Sequence, residues 1–342
     1  MQRRLPRLRA DKNACESQHV VILGAGASRA ACPTGDANGR LLPVMADLVE
    51  LVALEPLLRD AKISYSQGQN FEAVYERLAA DPSKAAVQRA IETRLREYFA
   101  AMVIPDRATV YDRLLLSLRA KDYIASFNWD PLLAQAFKRN RHLAELPRLI
   151  FLHGNVDAGA CTEHRQKGFL EHSCPHCGRA LMPVPLLYPI GTKDYEGNAF
   201  IQNEWIELRA AIEDAYILTI FGYAAPRSDV AAKGIMLDAW KANQTLELAA
   251  IDIIDVKPEA EVEETWRPFF VRTHYGISSA PTWLFQHARR SCDHFAIATL
   301  QQRPCQDNPL PTTDDLAALH AWVAPLVSQE VALRDEGTPL PC

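Results

Sequence analysis

Short apolar segments alternate with longer amphipathic segments along most of this chain. Apolar runs of this length, bounded by glycine or polar residues, are typical of buried strands. The predicted strands are residues 19–23, 123–127, 149–152, 216–221 and 246–254. The predicted helices are residues 41–59, two segments within 71–102 that break near Asp81-Pro82, and residues 107–121, 131–138, 200–214 and 229–242. Beyond residue 266 the pattern predicts one further helix over 312–324, with Thr313 as N-cap and Pro325 as its end.

Strands that alternate with helices predict an α/β fold, here a Rossmann-like, mostly parallel sheet with helices on both faces. Ligands of such sheets bind at the carboxyl ends of the strands. The residues best suited to bind a ligand or to take part in catalysis follow the predicted strands: Gly24 to Ser28, Asn128, His153, Gly222 and Asp255. We therefore expect them to form a single site.

Composition limits the class of protein. The chain has 342 residues, is 48% hydrophobic and has a formal net charge of −5, which suits one large α/β domain with insertions or two domains. A weakly acidic chain gives no reason to expect nucleic-acid or membrane binding. The basic N-terminus lacks the apolar stretch of a secretory signal, and the longest apolar run, 215–226, contains glycine and proline. We expect a cytoplasmic protein.

Three of the eight cysteines lie in one short stretch. Cys161 and His164 form one pair with a two-residue spacer, and Cys174 and Cys177 form another. Two such pairs close a tetrahedral zinc site, and four protein ligands leave no open position, so the predicted zinc is structural. His172 and His176 compete with His164 for the fourth position, and a metal-free or redox-active loop is the alternative.

A glycine turn, Gly24-Ala25-Gly26-Ala27-Ser28, follows the first predicted strand. Glycines there let a pyrophosphate approach the backbone, and the start of the next helix offers N–H groups. Arg29 stands where the third glycine of a G-x-G-x-x-G pattern would be, so an ordinary strand-to-helix turn explains the segment equally well.

Four further motifs accompany this turn in a fixed order between residues 19 and 257. They are Pro33 with Asp36, Phe127-Asn128-Trp129-Asp130, Leu152-His153-Gly154 with a cysteine cluster seven residues later, and Gly222 followed by Asp255. In this order the chain resembles the sirtuins, whose phosphate-and-ribose loop, Gln-Asn-x-Asp motif, catalytic His-Gly, zinc module and ribose-binding strand ends these segments match. The resemblance implies a sirtuin-like Rossmann domain over residues 19–265.

The departures from sirtuins point to one branch. Phe127 replaces the sirtuin glutamine, and Gly222-Tyr223-Ala224 replaces Gly-Thr-Ser. The segment nearest to the acyl-lysine-binding Phe-Gly-Glu of sirtuins is 189–193, which does not match it. The run from Gly222 to Asp229 and a helical insertion at 41–121 look more like the sirtuin-like NAD hydrolases of bacterial anti-phage defence. The predicted organisation adds a tail at 1–18, a zinc module at 155–185 and a C-terminal extension at 266–342.

The resemblance implies that NAD is the substrate and that zinc is structural. It assigns ribose and water placement to Asn128, the general-base role to His153, and an orienting role to Asp130. It assigns NAD binding to Gly24, Ala25, Gly26, Ala27, Ser28, Pro33, Asp36, Gly222, Ser228 and Asp255. From the residues alone, His153 could be a structural hydrogen-bonding group, Asn128 and Asp130 could cap a helix that begins with Pro131, and Asp255 could simply end a strand.

The resemblance therefore implies an NAD hydrolase of anti-phage defence, kept silent until a signal or protein partner activates it. The alternatives are an NAD-dependent protein deacylase, a non-catalytic sensor of NAD or ADP-ribose, and a zinc-dependent nucleic-acid binder, which the net charge supports little. A homo-oligomer is a further expectation.

Overall fold

The structure, a computed structural model, describes residues 18–189, 195, 197–226, 229–243, 248–271, 273–302 and 306–335. Its strands are β1 Gln18–Leu23, β2 Tyr123–Ser126, β3 Arg148–Phe151, β4 Ala158–Ala160, β5 Lys167–Phe169, β6 Met182–Pro183, β7 Ala215–Phe221, β8 Ala250–Ile254 and β9 His274–Ser278. Its helices are α1 Ala25–Ala31, α2 Leu48–Leu51, α3 Glu55–Asp60, α4 Phe71–Ala79, α5 Ala85–Ala100, α6 Val110–Ser117, α7 Leu132–Asn140, α8 Ala199–Glu213, α9 Val230–Ala242, α10 Glu259–Trp266, α11 Ser291–Gln301 and α12 Leu316–Asp335.

Six strands form a parallel sheet in the order β3-β2-β1-β7-β8-β9. Counted within the sheet, this is the 3-2-1-4-5-6 order of the Rossmann fold, which confirms the predicted fold class. The chain leaves the β3 edge and returns at β7, so strand order reverses between β1 and β7. Dinucleotides bind across the crevice at this switch point in other sheets with the same order.

Side chains of the central strand β1 alternate between two apolar layers. Val21 and Leu23 pack with α6, α7 and α12 on one face of the sheet. Val20 and Ile22 pack with α8, α9 and α10 on the other. Because strand residues alternate in direction, a strand covered on both faces is apolar throughout, which is why β1 is recognisable in the sequence.

The small antiparallel sheet β5-β4-β6 is fastened to the β3 edge of the large sheet. The buried carboxylate of Glu204 accepts the Phe151 N–H at 2.6 Å and a hydrogen bond from Lys167 Nζ at 2.8 Å. Lys167 Nζ also donates to Leu149 O at 3.0 Å. The open edge of β3 is thereby satisfied, and the predicted zinc module is held beside the end of that strand.

Two predicted helices are wrong in their extent. Residues 41–59 do not form one helix: α2 and α3 are separated at Ala53, whose φ of +56° lies in the left-handed region. The helix predicted at 107–121 is confined to α6, which begins with a capping box at Thr109 and Asp112.

The C-terminal helix also differs from its prediction. The side chain of Asp315, rather than that of Thr313, accepts the first helical N–H groups, from Ala317 and Ala318. The helix continues through Pro325 to Asp335. Proline removes one backbone donor, but buried Leu319 and Val323 and the bond from Arg289 to Glu330 at 2.7 Å hold the helix against the core.

Among the described residues, α12 is the one helix long and apolar enough to cross a membrane by length and composition, which is weak evidence on its own.

Strand β9 was not predicted and comes from beyond residue 265, so the predicted domain boundary falls inside the parallel sheet.

The core of this sheet gives a stability prediction. Ile22 on β1 is 0% exposed, whereas Ile206 on α8 is 60% exposed. We expect Ile22→Ala to lower the free energy of unfolding by about 2–5 kcal/mol, since it leaves a cavity between β1 and α8. Ile206→Ala is the matched control and should change it by less than about 0.5 kcal/mol. Urea unfolding followed by circular dichroism measures both, and equal effects would contradict the described packing.

Candidate active site and metal centre

Two glycine turns meet at the switch point. The Gly24 N–H donates to Phe221 O and the Gly26 N–H donates to Gly222 O, both at 3.0 Å. A Cβ on Gly24 would lie 2.5 Å from Gly222 O, and one on Gly222, whose φ is +63°, would lie 2.3 Å from Ala27 N. The glycines are therefore required for the close approach of the two turns. The two turns thus bind each other through their main chains.

A buried network of polar side chains adjoins this contact. Asn128 Nδ2 donates to Gly24 O at 2.8 Å and to Ser28 Oγ at 2.9 Å. Ser28 Oγ donates to Asp130 Oδ2 at 2.7 Å, and Tyr111 OH lies 2.6 Å from Ser28 Oγ. Since the single Ser28 proton goes to Asp130, the Tyr111 hydroxyl is the donor to Ser28. The network brings three predicted site residues together and adds Tyr111 from α6.

The Asp130 carboxylate accepts two hydrogen bonds, one at each oxygen. Its Oδ1 accepts the Leu132 N–H at 3.2 Å, in the manner of a helix cap, while Oδ2 accepts from Ser28. Burial raises the pKa of Asp130 to about 6, although the bonds from Ser28 and Leu132 oppose the shift. Among the described hydrogen bonds and ion pairs, none joins Asp130 to a cationic side chain. A buried carboxylate of this kind is a common mark of a functional site.

His153 lies beyond the end of β3 in an aromatic surround. Its ring meets the Phe127 ring edge-on, with 4.7 Å between centroids. Phe127 also stacks in parallel on the ring of Tyr223, with 4.0 Å between the ring centroids. The ring of Tyr195 lies parallel to that of His153 at 6.3 Å. His153 Nε2 is 3.8 Å from Asp229 Oδ1, and Tyr223 OH donates to Asp229 Oδ2 at 2.9 Å.

Phe127 and Asn128 are adjacent in the chain, so the polar network and the aromatic surround of His153 are the two sides of one site. Gly154 fixes the backbone after His153 with a φ of +75°, and a Cβ there would lie 2.0 Å from Pro185 O. The predicted convergence of Gly24 to Ser28, Asn128, His153 and Gly222 at one end of the sheet is thus observed.

Other predicted residues have local contacts. The buried Asp36 carboxylate accepts the N–H groups of Asn38, Arg40 and Val103 at 2.8–3.0 Å and so orders its own loop. Pro33 in that loop is exposed. Asp255 Oδ1 accepts the Lys257 N–H at 3.0 Å, in the turn after β8. Ser228 lies outside the described residues. The assignment of these four residues to NAD remains a prediction.

Three residues near the site had no predicted role: Tyr111, Tyr223 and Asp229. Tyr223 and Asp229 lie in the segment that follows Gly222, but nothing in the sequence names their partners. Tyr111 is separated from Ser28 by 83 positions and lies in the expected helical insertion. A contact of that sequence separation appears only once the chain is folded.

The metal centre consists of Cys161, His164, Cys174 and Cys177, whose ligand atoms all lie within 4.8 Å of one another. Cys161 Sγ is 3.6 Å from His164 Nδ1 and 3.8 Å from Cys177 Sγ, and Cys174 Sγ is 3.8 Å from His164 Nδ1. A regular tetrahedron with zinc–sulfur bonds of about 2.3 Å has edges of about 3.8 Å. Hydrogen bonds from His164, through its backbone N–H and its ring, lower the pKa of the Cys161 thiol. The cluster fits a structural zinc ion.

The comparisons with known proteins give a structural likeness only. No protein-family model and no curated protein sequence matches the chain. Among solved structures it is similar to a sirtuin from work on substrate affinity, with 15% identity, a TM-score of 0.40, and coverage of 76% of this chain and 88% of that one. It is similar to a Sir2 homologue solved with NAD, with 15% identity, a TM-score of 0.38, and coverage of 84% and 92%. It is also similar to a Sir2 enzyme from work on mechanism and regulation, with 15% identity, a TM-score of 0.37, and coverage of 85% and 96%.

The metal centre predicts a specific fourth ligand. His164 contributes Nδ1 to the cluster, while His176 only stacks on the His164 ring at 5.2 Å and is exposed. We expect one zinc per chain, lost in His164→Ala and retained in His176→Ala, as measured by metal analysis of protein purified without chelators. Loss of the metal should also unfold the module, because metal affinity there is part of its folding free energy. Retention of zinc by His164→Ala would show that the ligand set is wrong.

The raised pKa of Asp130 should make the free energy of unfolding depend on pH. Its pKa is raised from 3.8 to about 6, so the folded chain binds this proton more tightly than the unfolded chain does. The resulting stabilisation is present below about pH 4 and is lost as the pH rises through about 6. We expect Asp130→Asn to raise the free energy of unfolding by up to about 3 kcal/mol at pH 7.5, with the gain vanishing toward pH 4. Exposed Asp106→Asn is the control, and an equal gain at both pH values would contradict the assignment.

Proposed function

We propose that this protein hydrolyses NAD to nicotinamide and ADP-ribose at the carboxyl ends of β1, β2 and β3. The observation that carries the proposal is the convergence of Asn128, Asp130 and His153 beside the two glycine turns, at the switch point of a sheet with Rossmann order. The ordered motifs that resemble those of sirtuins support the same substrate.

The proposed reaction makes modest demands on the protein. The C1′–N bond of the nicotinamide ribose breaks, its electron pair goes to the ring nitrogen, and neutral nicotinamide leaves without an acid. A water oxygen bonds to C1′ through an oxocarbenium-like transition state, and its proton passes through His153 to solvent. The protein must hold the ribose, place the water and accept a proton, which are positioning and general-base tasks.

Asn128 suits the positioning task because its amide both donates and accepts hydrogen bonds. In this structure its Nδ2 is bonded to Gly24 O and to Ser28 Oγ, which fixes the side chain at the junction of β1 and β2. A side chain held in this way loses little further freedom when it meets a ribose, which is the physical basis of preorganisation.

The aromatic surround of His153 favours water over an acyl-lysine as the nucleophile's source. Phe127 and Tyr223 stack at 4.0 Å, and Trp205 lies edge-on to Phe127 at 6.0 Å. These three rings are buried, so they take up space beside His153 that a peptide would need. A water molecule needs far less room, so the packing supports a hydrolase over a deacylase.

The burial of the site supports a low resting activity. Asn128 is 8% exposed, His153 5% and Asp130 4%, so NAD requires some opening of the site to reach them. A free NAD hydrolase would deplete its own cell. We propose that a signal or a protein partner opens the site further and raises this low activity. We also propose that the enzyme acts in the cytoplasm, and the resemblance of its motifs supports a role in anti-phage defence.

The test is nicotinamide release from NAD by the full chain, followed by chromatography with and without an acetylated peptide. We expect release without peptide, and His153→Ala and Asn128→Ala should each reduce the rate about 10²–10⁴-fold. His142→Ala is the matched control, since His142 is exposed and contacts His320 rather than the site. Calorimetry with ADP-ribose should show that His153→Ala still binds the product.

Three other results would each contradict the hydrolase. Release that depends on the acetylated peptide would identify a deacylase. Full activity in both His153→Ala and Asn128→Ala would place the site elsewhere. Binding of ADP-ribose by a wild-type chain that never releases nicotinamide would identify a sensor.

A further inference from the structure

We infer that Asp229 is a positioning residue that holds the imidazole of His153 through its Nε2 nitrogen, and that Tyr223 in turn holds Asp229. The inference rests on the hydrolase function proposed above. It adds two side chains from the segment after β7 to the proposed catalytic residues, which follow β2 and β3.

The geometry joins these three side chains in a row. Asp229 Oδ1 is 3.8 Å from His153 Nε2, and Asp229 Oδ2 accepts the Tyr223 hydroxyl at 2.9 Å. The side chains of His153 and Asp229 are 7% and 4% exposed. Water therefore screens this pair little, and a carboxylate at this distance acts strongly on the ring.

The position of Asp229 in the sequence shows that this orientation is specific. Asp229 is the N-cap residue of α9, where aspartate commonly accepts the first free helical N–H groups. Its side chain makes no such capping bond. The carboxylate instead lies against Tyr223 and His153.

The chemistry of imidazole gives the orientation a consequence. A carboxylate beside one ring nitrogen keeps the proton on that nitrogen and leaves the lone pair on the other, as in hydrolase triads. With Asp229 at Nε2, Nδ1 becomes the basic nitrogen of His153. The separation of 3.8 Å is about 1 Å longer than a hydrogen bond, and such catalytic contacts often tighten only when substrate binds.

Tyr223 connects Asp229 to the aromatic side chains around His153. Its ring stacks on Phe127, which is edge-on to His153, while its hydroxyl binds Asp229. Of the described titratable groups, Asp229, Tyr195 and Tyr223 are those that face the His153 ring or its carboxylate partner. The Phe127–Tyr223 stack and the Tyr223–Asp229 bond thus depend on the same side chain.

The first test compares the kinetics of Asp229→Asn with those of wild type in the full chain. We expect kcat for NAD hydrolysis to fall about 10- to 100-fold while the affinity for ADP-ribose stays within about twofold. The acidic limb of the pH–rate profile should move to lower pH, because a carboxylate favours the protonated imidazole. Tyr223→Phe keeps the stack, loses the hydroxyl, and should have a smaller effect in the same direction.

Asp252→Asn is the matched control. Asp252 is a half-buried carboxylate in the middle of β8, and a Cβ on neighbouring Gly276 would lie 2.6 Å from its Oδ1. This variant should keep the wild-type kcat and pH profile. If Asp229→Asn also keeps both while His153→Ala is inactive, the inference is wrong and the hydrolase proposal stands.

The second test does not depend on activity. ¹⁵N NMR of the His153 ring, assigned by the signals lost in His153→Gln, should show the proton on Nε2 at neutral pH in wild type and a mixture of tautomers in Asp229→Asn. An unchanged tautomer would overturn the inference. If the tautomer differs between wild type and Asp229→Asn as expected, but the wild type releases no nicotinamide, the hydrolase proposal is refuted and the contact of Asp229 with His153 stands.

Discussion

The backbone contact between the glycine turns after β1 and β7 determines where the rest of the site lies. Gly24 and Gly26 donate to the carbonyl oxygens of Phe221 and Gly222, and side chains at these glycines would prevent the approach. Because Gly24 is held there, its own carbonyl accepts from Asn128. Because Gly222 is held there, the following residues carry their side chains onto Phe127 and toward His153. Both halves of the site thus depend on one contact between main chains.

The two halves of the site differ in polarity: one is a hydrogen-bonded polar network and the other is mainly aromatic. On the β1–β2 side, Asn128, Ser28 and Tyr111 form a hydrogen-bonded network that ends on Asp130, whose pKa is raised to about 6 by burial. On the β3–β7 side, aromatic rings enclose His153 and leave Asp229 as its carboxylate neighbour. Different surroundings for two carboxylates in one site are the usual way in which a fold assigns them different tasks.

Much of the fold could be predicted because buried parallel strands are apolar along most of their length, as β1, β2, β3 and β7 are. Edge strand β9 escaped prediction because it is partly exposed and has no apolar run. Spacing alone predicted the zinc ligands, but His164 could be separated from His176 only by the position of its Nδ1 atom. Contacts such as Tyr111 with Ser28, or Asp229 with His153, join distant segments, so no local pattern reveals them.

A crystal structure of the His153→Ala variant soaked with NAD tests most directly the claim that a dinucleotide binds at this switch point. The variant keeps the glycine turns, the Asn128 network and the zinc cluster, while it should turn over substrate too slowly to clear the site. We predict that the pyrophosphate lies against the Gly24–Ser28 turn and that the nicotinamide ribose lies within hydrogen-bond distance of Asn128. NAD bound elsewhere on the protein, or no binding at millimolar concentration in a variant that is folded and carries zinc, would contradict it.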